Sequence, residues 1–209
     1  MDARDARGVR HARHWDRLAD RYDEVSAGVE RRFLAASRPW VAGRARGRVL
    51  EVGVGTGANL PFYPAGVELV CLERSAPMLE QARRRAAAVD RPATFVLGDA
   101  GALAVDDASV DTVVSTFTLC CVPDLEAALA EMVRVLRPGG ALLLADHVAS
   151  DHWWVRAPQA LVDAVTVPLA GEHLGRRPAA RLAALGLEVV ESRRTTLGLI
   201  ERVHARQPG

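Results

Sequence analysis

Apolar residues change period several times along this chain. Short, nearly unbroken apolar runs at 48–52, 68–72, 94–97, 112–115 and 141–145 predict strands buried on both faces. Between them the spacing turns helical. Met78, Leu79 and Ala82 mark a helix over 77–89, and Leu125, Ala128, Leu129 and Met132 mark another over 124–136, stopped by Pro138-Gly139-Gly140. Such alternation predicts an α/β fold, a mainly parallel sheet with helices on both faces. Upstream, Trp15, Leu18, Tyr22 and Val25 form one helical stripe, and Val29, Phe33 and Leu34 begin a second, so two helices are expected between about 11 and 41. Downstream, a helix at 178–185, a strand at 188–195, a break at Leu197-Gly198 and a strand at 199–206 predict an antiparallel pair at one sheet edge. The 149–177 stretch, rich in His, Trp and Pro, reads as an irregular insertion.

Composition narrows the partners. A chain of 209 residues, 49% hydrophobic and 25% charged, fits one globular domain. Lys+Arg 27 against Asp+Glu 26 leaves a formal charge of +1, which argues against a nucleic-acid surface and for small partners. Cys71, Cys120 and Cys121 lack the spacing of a zinc site or a secreted disulfide framework, so a reducing cytoplasm is expected. His11 and His14 lie one helical turn apart with no third ligand, and no metal is expected. Arg4, Arg7, Arg10 and Arg13 alternate with Asp2, Asp5 and Asp16 without the apolar centre of a signal peptide, and the first ten residues are expected to fray. No apolar run predicts stable membrane insertion.

The chemistry begins at Glu51-Val-Gly53-Val-Gly55-Thr56-Gly57, directly after the first strand and opening a helical stretch. Glycines there permit a tight turn and let a ligand lie against bare backbone. Gly53, Gly55 and Ala58 also satisfy the dinucleotide pattern of a nicotinamide enzyme. Glu73 ends the second strand, where a carboxylate can accept both hydroxyls of a ribose. Gly98-Asp99-Ala100 ends the third, with an acceptor for an adenine amine, and Thr116-Phe117 places a hydroxyl and a ring at the same edge.

These residues resemble class I methyltransferases, especially the small ubiquinone/menaquinone-biosynthesis C-methyltransferases. The likeness runs from Trp15 to Ala145, through V-L-E-V-G-V-G-T-G, Glu73, G-D-A and R-V-L-R-P-G-G. It implies a Rossmann-like sheet of seven strands, mostly parallel, and S-adenosylmethionine as cofactor, released as S-adenosylhomocysteine. Gly53, Gly55, Thr56, Gly57 and Asn59 would then line the methionine part with Glu51 near its ammonium, and Glu73 the ribose. Asp99, Ala100, Arg74 and Met78 would surround the adenine, Thr116 and Phe117 would close the pocket near the sulfonium, and Tyr22 would fold over the donor. An acid at Glu51, where nicotinamide enzymes usually have an apolar residue, favours the methyl donor. G-A-N-L-P-F-Y-P, T-L-C-C-V and D-H-V look in addition like the thiol methyltransferases of the methyltransferase-like group, and bacterial phosphatidylethanolamine N-methyltransferases share the first stretch. Asp146 stands where the thiol enzymes carry Glu, and their N-terminal anchoring segment is not seen here.

The division implied is 1–40 as lid helices, 41–148 as cofactor-binding core, 149–177 as acceptor-covering insertion and 178–209 as terminal helix and strand pair. Methyl transfer is an in-line displacement, so the acceptor, whether thiol, phenol, amine or carbon acid, must be aligned and kept from water. His147 is the candidate base, since imidazole is the side chain that titrates near neutrality, and Asp146 would orient it or the acceptor. His152, Trp153, Trp154 and His173 are the candidate acceptor contacts. The rival readings are a nicotinamide-dependent oxidoreductase, a catalytically silent binding module of the same fold, and action on lipid amines at a membrane surface suggested by the N-terminal arginines and Trp153-Trp154.

Overall fold

The structure, a computed structural model, describes residues 14–209; the arginine-rich start and His11 lie outside them. Residues 14–18 are helical, and a 3-10 turn (Ala19–Arg21), helix α1 (Tyr22–Val29), a π-helical turn (Glu30–Leu34) and helix α2 (Ser37–Ala42) follow. The two leading helices expected from periodicity are thus a relay of short turns. Helix α1 buries none of its residues, so packing does little to lengthen it.

The core then alternates: β1 (Arg48–Val52), β2 (Glu68–Glu73), α3 (Ala76–Ala88), β3 (Thr94–Leu97), β4 (Val110–Thr116), α4 (Leu125–Val135) and β5 (Leu136–His147). Helix α3 is capped by the Ser75 side chain on the Met78 N–H, and α4 by Asp124 on that of Ala127. Helices α5 (Trp153–Ala170) and α6 (Ala179–Leu182) precede the hairpin β6 (Glu188–Thr195) and β7 (Ile200–Arg206). The seven strands run in the order β3-β2-β1-β4-β5-β7-β6. The first five are parallel, and β7 joins β5 and β6 antiparallel. Alternate residues divide two cores: Leu50, Val113, Leu142 and Leu144 face one side with Leu129 and Met132, while Val49, Val114, Leu143 and Ala145 face the other with Leu79 and Ala82.

This order has a topological consequence. The chain leaves β1 for β2 and β3 on one side and returns to β4 on the other, so the carboxyl ends of β1 and β4 flank a crevice.

Two expectations change. The 149–177 insertion is not irregular, because it contains the 18-residue helix α5, with Pro158 and Pro168 inside it and Gly171 ending it at φ 68°. The fourth strand is longer than the 112–115 run: it spans Val110–Thr116, and Phe117 then turns the chain with φ 55°.

Candidate active site

The crevice is a cleft enclosing about 970 Å³, counted to its open mouth. Its floor starts where β1 ends. Gly53 and Val54 donate their N–H groups to the Leu72 carbonyl at 2.8 and 3.0 Å, folding the loop back over the sheet. Gly53 has φ 76°, and a Cβ there would lie 2.3–2.8 Å from the Thr118 side chain. Gly55, at φ 56°, would meet nothing within 4 Å, and it lines the cleft, so any side chain there would fill ligand space.

Glu73, at the end of β2, is tied to this loop. Its Oε2 accepts the Gly55 N–H at 2.9 Å, and its Oε1 accepts those of Arg74 and Ser75 at 2.9 and 3.0 Å. Burial pushes its carboxyl above the usual range, against the pull of these three donors. Beyond β3, Asp99 pairs with Arg74 at 3.0 Å and accepts the Gly101 N–H at 2.9 Å, which fixes the position of Ala100.

Beneath the loop lies a polar network with almost no water access. Asn59 Nδ2 donates to Glu51 Oε1 at 2.8 Å and to Thr116 Oγ1 at 2.9 Å. Asn59 Oδ1 accepts from Arg38, whose guanidinium also makes a fork to Glu30 at 2.6 and 2.7 Å and sits 5.5 Å from the Phe117 ring centroid. Glu51 is fully buried, and its Oε2 has no hydrogen-bond partner. Burial raises its carboxyl to about 7, although Tyr63, Asn59 and Arg38 pull the other way. The leading turns are stitched over the loop: Ser75 Oγ donates to Asp16 at 2.6 Å, Thr56 Oγ1 to Asp23 at 2.7 Å, and Asp23 pairs with Arg85.

Twelve of the residues expected to hold the donor share the cleft wall: Tyr22, Glu51, Gly53, Gly55, Thr56, Glu73, Arg74, Met78, Asp99, Ala100, Thr116 and Phe117. Two do not. Asn59 lies behind it in the Glu51 network, and Gly57 packs toward Leu60 and Ala82. Trp15 and Arg38 also line it and were not assigned, as do Thr118, Cys121, Val122 and Pro123 at its apolar end. An arginine inside the apolar stretch around α2 was the available signal for Arg38.

The expected acceptor residues lie elsewhere. Asp146 is buried with both oxygens engaged, Oδ2 accepting the Leu119 N–H at 2.6 Å and Oδ1 that of His147 at 2.8 Å, so it braces the turn after β4. His147 stands behind Phe117, ring centroids 5.1 Å apart, with Nδ1 3.7 Å from Cys120 Sγ. The His173 N–H holds the Cys120 carbonyl at 2.8 Å. His152 and Trp154 contact each other on the surface, with Trp153 75% and Trp154 52% exposed. None of these six lines the cleft.

Comparison with known proteins gives the family. Residues 50–144 match the family described as "Methyltransferase domain". A demethylmenaquinone methyltransferase of a Roseiflexus species is 32% identical over 176 residues, covering 80% of this chain and 73% of that protein. The chain belongs to the S-adenosylmethionine-dependent methyltransferases. A human thiol S-methyltransferase is 37% identical over 134 residues, covering 62% of this methyltransferase-family chain and 54% of the human protein. The chain thus spans little more than half the length of that relative. Among solved structures, an S-adenosylmethionine-dependent methyltransferase of Thermotoga maritima shares the fold with a TM-score of 0.70 at 21% identity, over 92% of this chain and 98% of that one. The nicotinamide-enzyme reading of the glycine loop gives way to this membership. Among the described residues, no helix is long and apolar enough to cross a membrane.

Proposed function

We propose that this chain transfers the methyl group of S-adenosylmethionine to a small acceptor held at the apolar end of the cleft. One observation carries the reading: the glycine loop, Glu73, the Arg74–Asp99 pair and the turn from Thr116 to Pro123 line one continuous space. The residues fit the donor. Gly55 leaves a cradle that a Cβ would fill, and the partnerless Glu51 Oε2 is a buried acceptor on the same floor. When bound, S-adenosylmethionine supplies a methyl on a cationic sulfonium. Glu73, already oriented by three backbone donors, presents the lone pair left on its Oε2 to the ribose hydroxyls, and Asp99 with Ala100 meets the adenine edge. Phe117, Val122 and Pro123 keep water from the reacting end, which sharpens every electrostatic contact there. Tyr22 and Trp15 cover it from the leading turns, in keeping with a lid in the first forty residues.

The relatives named for thiols and for demethylmenaquinone point to a small or lipid-soluble acceptor. His147 and Asp146 act in this reading from behind the wall, by holding the turn. Three free buried cysteines suit a reducing compartment such as the cytoplasm.

The test is calorimetric titration of the purified chain with S-adenosylmethionine and S-adenosylhomocysteine, repeated with Glu73→Ala and Asp99→Ala. Saturable binding of both, weakened about tenfold or more in each variant, is expected, followed by labelled-methyl transfer to a panel of thiols, quinols and amines. Absence of binding in the folded chain would end the proposal.

A further inference from the structure

The apolar end of the cleft finishes in two adjacent thiols. Cys120 and Cys121 sit in the turn after β4, where the Cys121 N–H bonds the Thr118 carbonyl at 2.8 Å, and their sulfurs are 3.5 Å apart. Glu172, just beyond α5, brings Oε1 to 4.0 Å from the Cys121 sulfur, and all three donor atoms lie within 4.8 Å of one another. Cys121 forms part of the cleft wall. A thiol is a weak hydrogen-bond donor for a half-buried carboxylate, so this is a poor arrangement for stability alone.

The spacings match a different use. Tetrahedral zinc, with metal–sulfur bonds of about 2.3 Å and metal–oxygen bonds of about 2.1 Å, sets two thiolates about 3.8 Å apart and a thiolate and a carboxylate oxygen about 3.6 Å apart. The sulfurs here would move by a few tenths of an ångström, and Glu172 by somewhat more. We propose that Cys120, Cys121 and Glu172 form a binding site for a thiophilic divalent ion, zinc foremost, on the wall of the donor cleft. Three protein ligands leave a fourth position, as zinc sites that bind exogenous ligands do. Two thiolates and one carboxylate supply three negative charges against the ion's two. Arg176, close enough to both cysteines to interact with their charge, offsets the third while its Nη1 pins the turn through the Leu119 and Val122 carbonyls at 2.7 Å. His147 Nδ1 lies 3.7 Å from the Cys120 sulfur. Sequence spacing hides such a site, because the third ligand comes from a segment about fifty residues away.

The test needs no methyl donor and so stands apart from the activity. The full chain is stripped with chelator and titrated with Co²⁺ and Cd²⁺, following sulfur-to-metal absorption, and with Zn²⁺, following thermal unfolding. One ion per chain is expected, with a raised Tm in zinc. Affinity should fall on the order of 100-fold in Cys120→Ser and Cys121→Ser, about tenfold in Glu172→Gln, and stay unchanged in Cys71→Ser, which removes the remaining thiol. Sulfur-to-metal absorption missing from the folded wild type, or surviving intact in both serine variants, overturns the site. Loss in Cys71→Ser equal to that in the other two would also overturn it.

Discussion

Replacing Glu51 by Gln should make the protein more stable, and only above mildly acidic pH. In the folded chain this carboxyl is fully buried with a pKa of about 7 against an ordinary 4.5. An acid whose folded pKa is raised lowers stability as pH climbs from the unfolded value through the folded one, because in that window only the unfolded chain ionises. The gap corresponds to about 3 kcal/mol, of which about 2.5 kcal/mol accrues between pH 5 and pH 8. Gln keeps the shape and retains an acceptor for Asn59. Urea unfolding of both proteins at pH 5 and pH 8 measures the difference directly. The Gln variant should gain little at pH 5 and about 3 kcal/mol at pH 8. Equal stability at pH 8, or a difference that does not change with pH, would refute the burial argument. That the chain keeps so costly an acid on the cleft floor is what a binding role, traded against stability, would produce.

Gly55→Val should lose donor binding, since its side chain enters the cleft, while the strained backbone at φ 56° costs about 1–3 kcal/mol. Calorimetry with S-adenosylhomocysteine separates the two effects, and retained affinity would contradict the cradle. Asp146→Ala leaves the Leu119 and His147 N–H groups without their acceptor, and relief of a buried charge offsets only part of the loss. A net destabilisation of about 2 kcal/mol is expected by urea unfolding, with weaker donor binding as the turn loosens.

Much of this was written locally. Strand β1 and, to within a residue, the bounds of α3 and α4 follow from apolar period and caps, because these elements bury the residues that set the pattern. Helix α5 was hidden for the opposite reason. Leu161, Val165 and Leu169 lie exposed, so no polar face marks the period, and Pro158 and Pro168 read as breakers. The residues that share the cleft wall were legible from strand ends. The placement of His147 was not, because it follows the expected strand yet lies off the cleft wall against Phe117, whose left-handed backbone nothing in the local sequence announces.

The last strand in sequence is not the last in space. Strand β7 lies between β5 and β6, and β6 pairs with β7 alone in the sheet. During synthesis β6 therefore emerges with nothing to pair with, and it can join the sheet only through β7, which follows it. That end of the molecule should assemble in one cooperative step, after the parallel half has its strands in hand.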